Sequence, residues 1–544
     1  MTNVISSAPG RSAPVDAVPE TGVGATAGPA PVEGGPSGPS MLSWLLPVVL
    51  TVSIGMFLST LDSAIVGIAY PAIGKDLGAT NESVQWITTA FKLSQGVVIP
   101  AAVWLCRRFG LRRMYLVALL TYLGTSILCS LAGSIESLVA FRIIQAIPGA
   151  LTPIVCVGII YRLIPRAVQP GAFAVYAMVA ISAPGFAPFF GGYLVEYLNW
   201  RFIFLADVPL AILGMVAVSL FLPAMPPIGV PPRFDVPGFI LAATGSFAFL
   251  LALSKGPAWG WTSYPILVLL GLAVNALVAF VAVELRVANP LLDLRIFTFR
   301  PFVLALVILE VLFVGLNAMF GFLPSFLQQA QQLTPSQAGM IFVPQAVAWI
   351  VAIPLSGLLW RSFGPKPVTI LGLLLMGGST LILGHLTVDL PHQEVVLLLC
   401  SRALGVGLIM LPMLGGAVSV LPPHLMPDGI AFRTIVQRTG AALGFAAVSD
   451  LVTVHRAQHF ANQAALLDVS TPYHDPTVYQ LQQKGPGGLL PLWQELQVHS
   501  STAAYGDAYT LLGLAALAAI VVTFFTSWPT PPRTPRRQLV EVGV

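Results

Sequence analysis

The sequence predicts an all-α integral membrane protein of fourteen transmembrane helices: two six-helix bundles with two further helices inserted between them. Three observations carry that expectation. The composition cannot coat a globular surface, the apolar spans alternate in register with the positive charges, and one stretch of chain occurs twice. Of 544 residues, 56% are hydrophobic and 9% charged, with a mean hydropathy of +0.85. A soluble domain carries nearer ~25% charged residues, so most of this chain must face lipid or other helices. The net charge of +4 is spread through short turns. It reads as an orientation signal rather than a nucleic-acid surface, and no nucleic-acid partner is expected.

The duplicated stretch is WITTAFKLSQGVVIPAAVWLCRRFGLRR, Trp86 to Arg113, which returns as GMIFVPQAVAWIVAIPLSGLLWRSFGPKP, Gly339 to Pro367. A shift of 254 positions lays Pro100 on Pro354, Arg107 on Arg361, Phe109 on Phe363, Gly110 on Gly364 and Arg112 on Lys366. Each copy is an apolar helix of about twenty residues, enough to cross a bilayer core, followed by a short basic turn. One device used twice in the same orientation is the mark of two parallel halves.

In chain order, residues 1–42 form a Pro-, Gly-, Ala- and Ser-rich segment expected to be disordered. It lacks the basic and apolar regions of a cleaved signal, so the first apolar helix is expected to stay as the anchor. Apolar spans follow at 43–70, 84–105, 114–133, 137–161, 170–195, 203–223, 237–254, 264–284, 301–323, 337–359, 367–386, 395–420, 432–454 and 505–527. Arg107, Arg108, Arg112, Arg113, Arg162, Arg166, Arg361, Lys366 and the Arg533, Arg536, Arg537 tail then fall on one side, against Lys75, Arg201, Lys255, Arg456 and Lys484 on the other. The positive-inside rule makes the first side, and both termini, cytoplasmic. Residues 43–223 make the N-terminal bundle and 301–527 the C-terminal one. Residues 224–300 hold a Pro-rich linker and the inserted pair, 455–504 a polar, Gly- and Pro-punctuated outer loop, and 528–544 a cytoplasmic tail.

Ionisable residues inside the spans need a reason, because each costs roughly 2.5–3.5 kcal/mol near mid-bilayer on insertion scales. Asp62 in the first span and Lys92 in the second sit at similar depth, so a facing pair is one expectation. A fixed bond from Asp62 to Lys92 or Arg142 would merely lock helices; a carboxylate that gains and loses a proton would drive a cycle. Glu310, with Asn317 two turns along the same face, has no basic partner on its own helix and is the stronger titrating candidate. Arg142, Arg402 and Arg438 read as clamps on carbonyls and carboxylates. Candidate substrate contacts are Asp62, Lys92, Glu310, Asn317 and Gln345. APGFAPFFGG, Ala183 to Gly192, is not expected to form a uniform helix, because proline removes ladder bonds; its glycines allow close helix contact. Cys106, Cys129, Cys156 and Cys400 have no CxxC spacing and read as small core residues. His455 and His459, at i, i+4, could hold a metal on a helix, but no third ligand is evident and a wet helix end is the plainer reading. No GxxxxGK[ST] loop, nucleophile–base pair or metal cluster is present, so neither an enzyme nor ATP-driven transport is expected.

These residues resemble the major facilitator superfamily, in its fourteen-helix drug:proton antiporter branch, over nearly all of Leu46 to Trp528. LDSAIVGIAYPAI (Leu61 to Ile73) is similar to the branch's LDxTIVNVALP signature and places its acid at Asp62. LVAFRIIQAIPGA (Leu138 to Ala150) resembles the proton-linked arginine motif, placing Arg142 and Gln145. The fifth span resembles the antiporter motif GxxxGPxxGG, retaining Pro188, Gly191 and Gly192. NWRFIFLADVPL, FDVPGFIL, NPLLDLRIF and FLPSFLQQAQQLTPSQAG are further landmarks.

The resemblance implies the major facilitator fold, a bacterial cytoplasmic-membrane location, no cofactor beyond the proton gradient, a monomer, and a periplasmic adaptor in a Gram-negative host. It further implies export of small lipophilic or cationic compounds, with Asp62 and Glu310 carrying proton coupling and Arg142 tuning Asp62. Alternatives are an organic-anion transporter using Lys92, Arg142 and Arg402, and a non-transporting sensor. The gating turn carries Arg107, Arg108, Gly110, Arg112 and Arg113, but departs from the family's GxLaDRxGRR at Val103, Arg107 and Leu111. The family aspartate at Arg107 helps latch the two halves. Ala183 and Ala187 replace glycines of the antiporter motif, Ala146 one of the arginine motif, and Lys92 a residue usually uncharged.

Overall fold

The computed structural model describes residues 39–165, 168–226, 234–287, 290–385, 387, 391–413, 420–422, 425–466 and 490–526. The chain divides into Met1–Trp44 and Leu45–Val544, and every contact below lies in the second unit. Of the segment 1–42 expected to be disordered, residues 1–38 lie outside the described residues, as does the tail 528–544, while 39–42 are helical and open α1.

The first span is a bent unit: α1 (Pro39–Ile65), a 3-10 turn (Val66–Ala69) and α2 (Tyr70–Leu77), stopped by Gly78 at φ 61°. There follow α3 (Asn81–Phe109), α4 (Leu111–Ser130), α5 (Ile135–Leu163), α6 (Gln169–Tyr197), α7 (Arg201–Leu205), α8 (Asp207–Phe221), and the inserted pair α9 (Val236–Trp259) and α10 (Tyr264–Glu284). The second half is α11 (Arg300–Gln329), α12 (Pro335–Phe363), α13 (Pro365–Leu383), α14 (His392–Leu411), α15 (Met426–Leu466) and α16 (Leu490–Phe524). Thirteen spans among the described residues are long and apolar enough to cross a membrane. The expected span 432–454 lies within α15, where Arg433, Arg438 and Asp450 dilute the apolar run.

The repeat is a structural one. α3 and α12 are both 29 residues long, and their ends match at the same 254-position offset. Thr80 caps α3 through the Ser83 amide and Thr334 caps α12 through the Gln337 amide, satisfying otherwise orphaned N–H groups. Gly110 (φ 84°) and Gly364 (φ 85°) end the two helices in the same left-handed backbone, which favours glycine, and leave room for the basic turn.

Two expectations need correcting. α6 runs unbroken through Pro184 and Pro188, because neighbouring helices and local adjustment stabilise a proline that would break an isolated helix. The 455–504 segment is not a loop at its ends: α15 and α16 extend into it as helices of 41 and 35 residues, while 467–489 lies outside the described residues.

Each half has a core of its own. Leu61, Ile65, Ile87, Leu138, Ala187 and Phe204 cluster in the first, and Met319, Phe326, Phe342, Leu399 and Tyr509 in the second. Two seams join the halves: α6 packs extensively on α12, and α3 and α5 pack more sparsely on α15. The inserted α9 lies over the sparser seam, against α3 and α15, with α10 stacked outside it. Burial follows: 78% of the apolar window of α5 is covered, but only 22% of that of α10. Exposed Leu267, Leu272, Val274 and Val278 give α10 a lipid-facing surface.

Candidate functional site

A polar network is sealed inside the first half. Asp62 sits one turn before the 3-10 break and accepts a 2.6 Å hydrogen bond from Arg142 Nη1 of α5, both side chains wholly buried. The same Nη1 donates to Gln145 Oε1 at 2.8 Å, and Gln145 Nε2 donates to Ser126 of α4 at 2.9 Å. Ser126 in turn donates to Asp207, buried at the start of α8, at 3.4 Å. The Arg142 guanidinium lies 4.0 Å from the centre of the Phe91 ring, so its open face is covered by an aromatic quadrupole. Desolvating two charges costs several kcal/mol per ion, which close geometry must offset. The expected facing of Asp62 and Lys92 is not what forms: Asp62 is taken by Arg142, whose Nη1 serves Asp62 and Gln145 at once.

Further polar groups lie on α3, α11 and α15, and Arg438 and Gln95 meet across the seam between the halves. Arg438 of α15 donates to Gln95 of α3 and, at 3.4 Å, to the Gly149 carbonyl of α5. Lys92, one turn before Gln95 on α3, is half-buried and lies in the field of Arg438. Gly440, two residues on from Arg438, lets the Glu310 carboxyl of α11 come so close that an added Cβ would stand 2.6 Å from it. Glu310 is half-buried, and its Oε2 has no hydrogen-bond partner among the described residues. Asn317 is half-buried and spends an N–H on the Phe313 carbonyl at 2.8 Å. Gln345 is not in this seam. It is fully buried on α12, one residue before Ala346, which with Trp349 closes over Gly185 of α6. Arg402 is a clamp inside the second half, donating to the Gly315 carbonyl at 2.8 Å and to Thr380 at 3.3 Å.

The gating turn shows what the departure at Arg107 does. Arg107 Nη2 lies 2.9 Å from Asp428 Oδ2 on the first turn of α15, an ion pair across the two halves. A bond between the halves is therefore present with its charge supplied by Arg107 rather than by an acid. Asp428 precedes the expected 432–454 span, and burial raises its carboxyl to about 6 against the opposing pull of Arg107. Arg112 donates to the Ser219 carbonyl at 3.3 Å, while Arg108 and Arg113 are exposed. On the other seam, Pro188 backs onto Gly339, whose missing Cβ would stand 2.8 Å from the proline backbone. Gly191 packs on Ile65 and Ile68 within the first half, and Gly192 is buried.

Sequence reasoning missed Asp207, Gln95 and Asp428. Asp207 had a signal: it is an acid inside the 203–223 span, and the insertion cost that singled out Asp62 applies to it equally. Gln95 and Asp428 had none, because their partners lie hundreds of residues away in the chain.

The family model described as Major Facilitator Superfamily matches residues 52–445. The tetracenomycin C resistance and export protein of Streptomyces glaucescens is 29% identical over 89% of this chain and 92% of its own. A multidrug resistance protein B homolog of Mycobacterium tuberculosis is 31% identical over 72% of this chain and 73% of its own. Among solved structures, a double-tryptophan mutant of XylE shares the fold with a TM-score of 0.57 at 15% identity, over 90% of this chain and 98% of its own.

Proposed function

The chain belongs to the Major Facilitator Superfamily, and from that premise we propose that it exports small lipophilic or cationic compounds in exchange for protons. Relatives named for multidrug resistance and for tetracenomycin C resistance and export support the outward direction. The two halves rock about the shared seam, opening it to one face of the membrane and then the other. The basic turns and both termini face the cytoplasm, the energy comes from the proton gradient without a cofactor, and the protein works as a monomer in the bacterial cytoplasmic membrane. In a Gram-negative host a periplasmic adaptor would receive the substrate.

The observation that carries the reading is Glu310: a half-buried carboxyl inside a span, set against the bare Gly440, with no cation bonded to it among the described residues. In this reading such a group holds a proton while its surroundings are dry and releases it when substrate or water arrives. Asp62 couples only if the Arg142 bond opens, and the 3-10 turn beside it is where the helix would flex. Proton-driven efflux in everted vesicles tests this. Glu310→Gln should abolish it, and full efflux from both Glu310→Gln and Asp62→Asn would overturn the proposal.

One observation favours organic anions as a second substrate class. Arg142 and Arg402 are engaged inside their own halves, but Lys92 and Arg438 bring two cations to the seam. Parallel assays with cationic and anionic substrates, with Lys92→Ala alongside, separate the two: loss of anion flux alone supports this reading.

A further inference from the structure

The long outer ends of α15 and α16 hold a group of side chains that the transport cycle does not use. His455 and His459 stand one helical turn apart on the same face of α15. Asp507 of α16 lies opposite both: His455 Nδ1 is 2.6 Å and His459 Nε2 2.8 Å from the single oxygen Oδ2. The three donor atoms lie within 4.8 Å of one another. Asp507 is the third ligand that the histidine spacing alone lacked, and it comes from a different helix more than forty residues away in the chain.

We propose that His455, His459 and Asp507 form a divalent transition-metal site, best suited to Zn²⁺, that fastens the projecting end of α15 to α16. The donor set points there. Two imidazole nitrogens and one carboxylate oxygen are the borderline ligands that zinc takes, whereas magnesium and calcium demand mostly oxygen. Spacing agrees: ligand atoms about 2.0–2.1 Å from a tetrahedral zinc stand roughly 3.3 Å apart, so the two nitrogens need only draw back a little from Oδ2. Exposure agrees as well. The side chains are 34%, 34% and 40% exposed, so a cation can enter and water can take the fourth position. Anchoring one ligand on a second helix converts binding energy into helix-to-helix attachment, since the metal holds both only while they stay packed.

The test uses the full chain, purified in detergent without a polyhistidine tag and stripped with chelator. Calorimetric titration should show one equivalent of Zn²⁺ bound, with no saturable binding of Mg²⁺ or Ca²⁺. Asp507→Asn should weaken Zn²⁺ binding at least about tenfold, no less than the loss of an outer-sphere partner usually costs. His455→Ala with His459→Ala should abolish it, and His499→Ala, an exposed histidine paired with Glu495, should leave it unchanged. Co²⁺ gives a readout that needs no variant: binding to the unmodified chain should produce the visible absorption of a tetrahedral site. No stoichiometric Zn²⁺ binding, binding indifferent to the double variant, or an octahedral Co²⁺ spectrum would overturn the proposal and leave two histidines merely hydrogen-bonded to a carboxylate.

Discussion

Two acids inside the spans of this molecule, Asp62 and Glu310, are built on opposite plans. Asp62 and Arg142 are both fully buried, in mutual contact, and tied into Gln145, Ser126 and Asp207. Glu310 is half-buried and set against a bare glycine, with no cation bonded to it among the described residues. The first arrangement ties α1, α4, α5 and α8 together, although Asp62 Oδ2 and Arg142 Nε and Nη2 have no hydrogen-bond partner among the described residues. The second leaves an acid with no bonded cation among the described residues to hold it in one charge state. Arg107–Asp428 stands between the plans: an ion pair, but one that joins the halves.

The sharpest break of this comparison is in stability. Arg142→Ala leaves Asp62 uncompensated and should cost about 3–5 kcal/mol, read as a lowered melting temperature in detergent. Glu310→Gln should cost about 1 kcal/mol or less while abolishing proton-driven flux. Equal destabilisation by both would erase the distinction between the two plans. Next is the close-packed seam. Gly339→Ala puts a Cβ on the Pro188 backbone and should cost about 1–3 kcal/mol, with slowed efflux. Gly124→Ala, where the added Cβ meets nothing within 4 Å, is the control and should melt no lower than the parent.

Smaller again is the cross-half ion pair. Arg107→Asp and Asp428→Arg should each weaken efflux, and the two together should restore it, with a coupling on the order of 1 kcal/mol in a double-mutant cycle. Failure of the exchange to restore flux would make the pair incidental. The smallest effect is one of pH. The folded chain holds the Asp428 proton up to about 6, above the ordinary 3.8. Its contribution to stability is thus fully present below 3.8 and lost as the pH rises through about 6. Asp428→Asn should flatten that part of the melting-temperature profile. Above about 6 the pair carries its charges, so efflux that depends on the bond should show the opposite trend.

Much of the architecture was legible in the residues, for a local reason. A chain in lipid must satisfy its backbone within each span, so apolar length alone marks the helices. The expected 264–284 span matches α10 at both ends, and Gly110 and Gly364 stop their helices as the repeat required. Cap, glycine and basic turn act within a few residues, so a sequence determines them unaided. Continuity through Pro184 and Pro188 was not legible, because neighbours rather than the segment itself keep α6 helical.

Which charges meet was settled only by tertiary packing. Lys92 and Asp62 share a depth, yet Asp62 bonds Arg142. Arg107 finds Asp428 across 321 positions of chain, and Asp507 completes a trio with two histidines on another helix. A hydrophobic pattern sets where a helix lies in the bilayer but leaves open how it is rotated against distant neighbours. That rotation comes from side chains interlocking across seams such as α6 with α12, and it decides whether an acid meets a cation, as Asp62 does, or not.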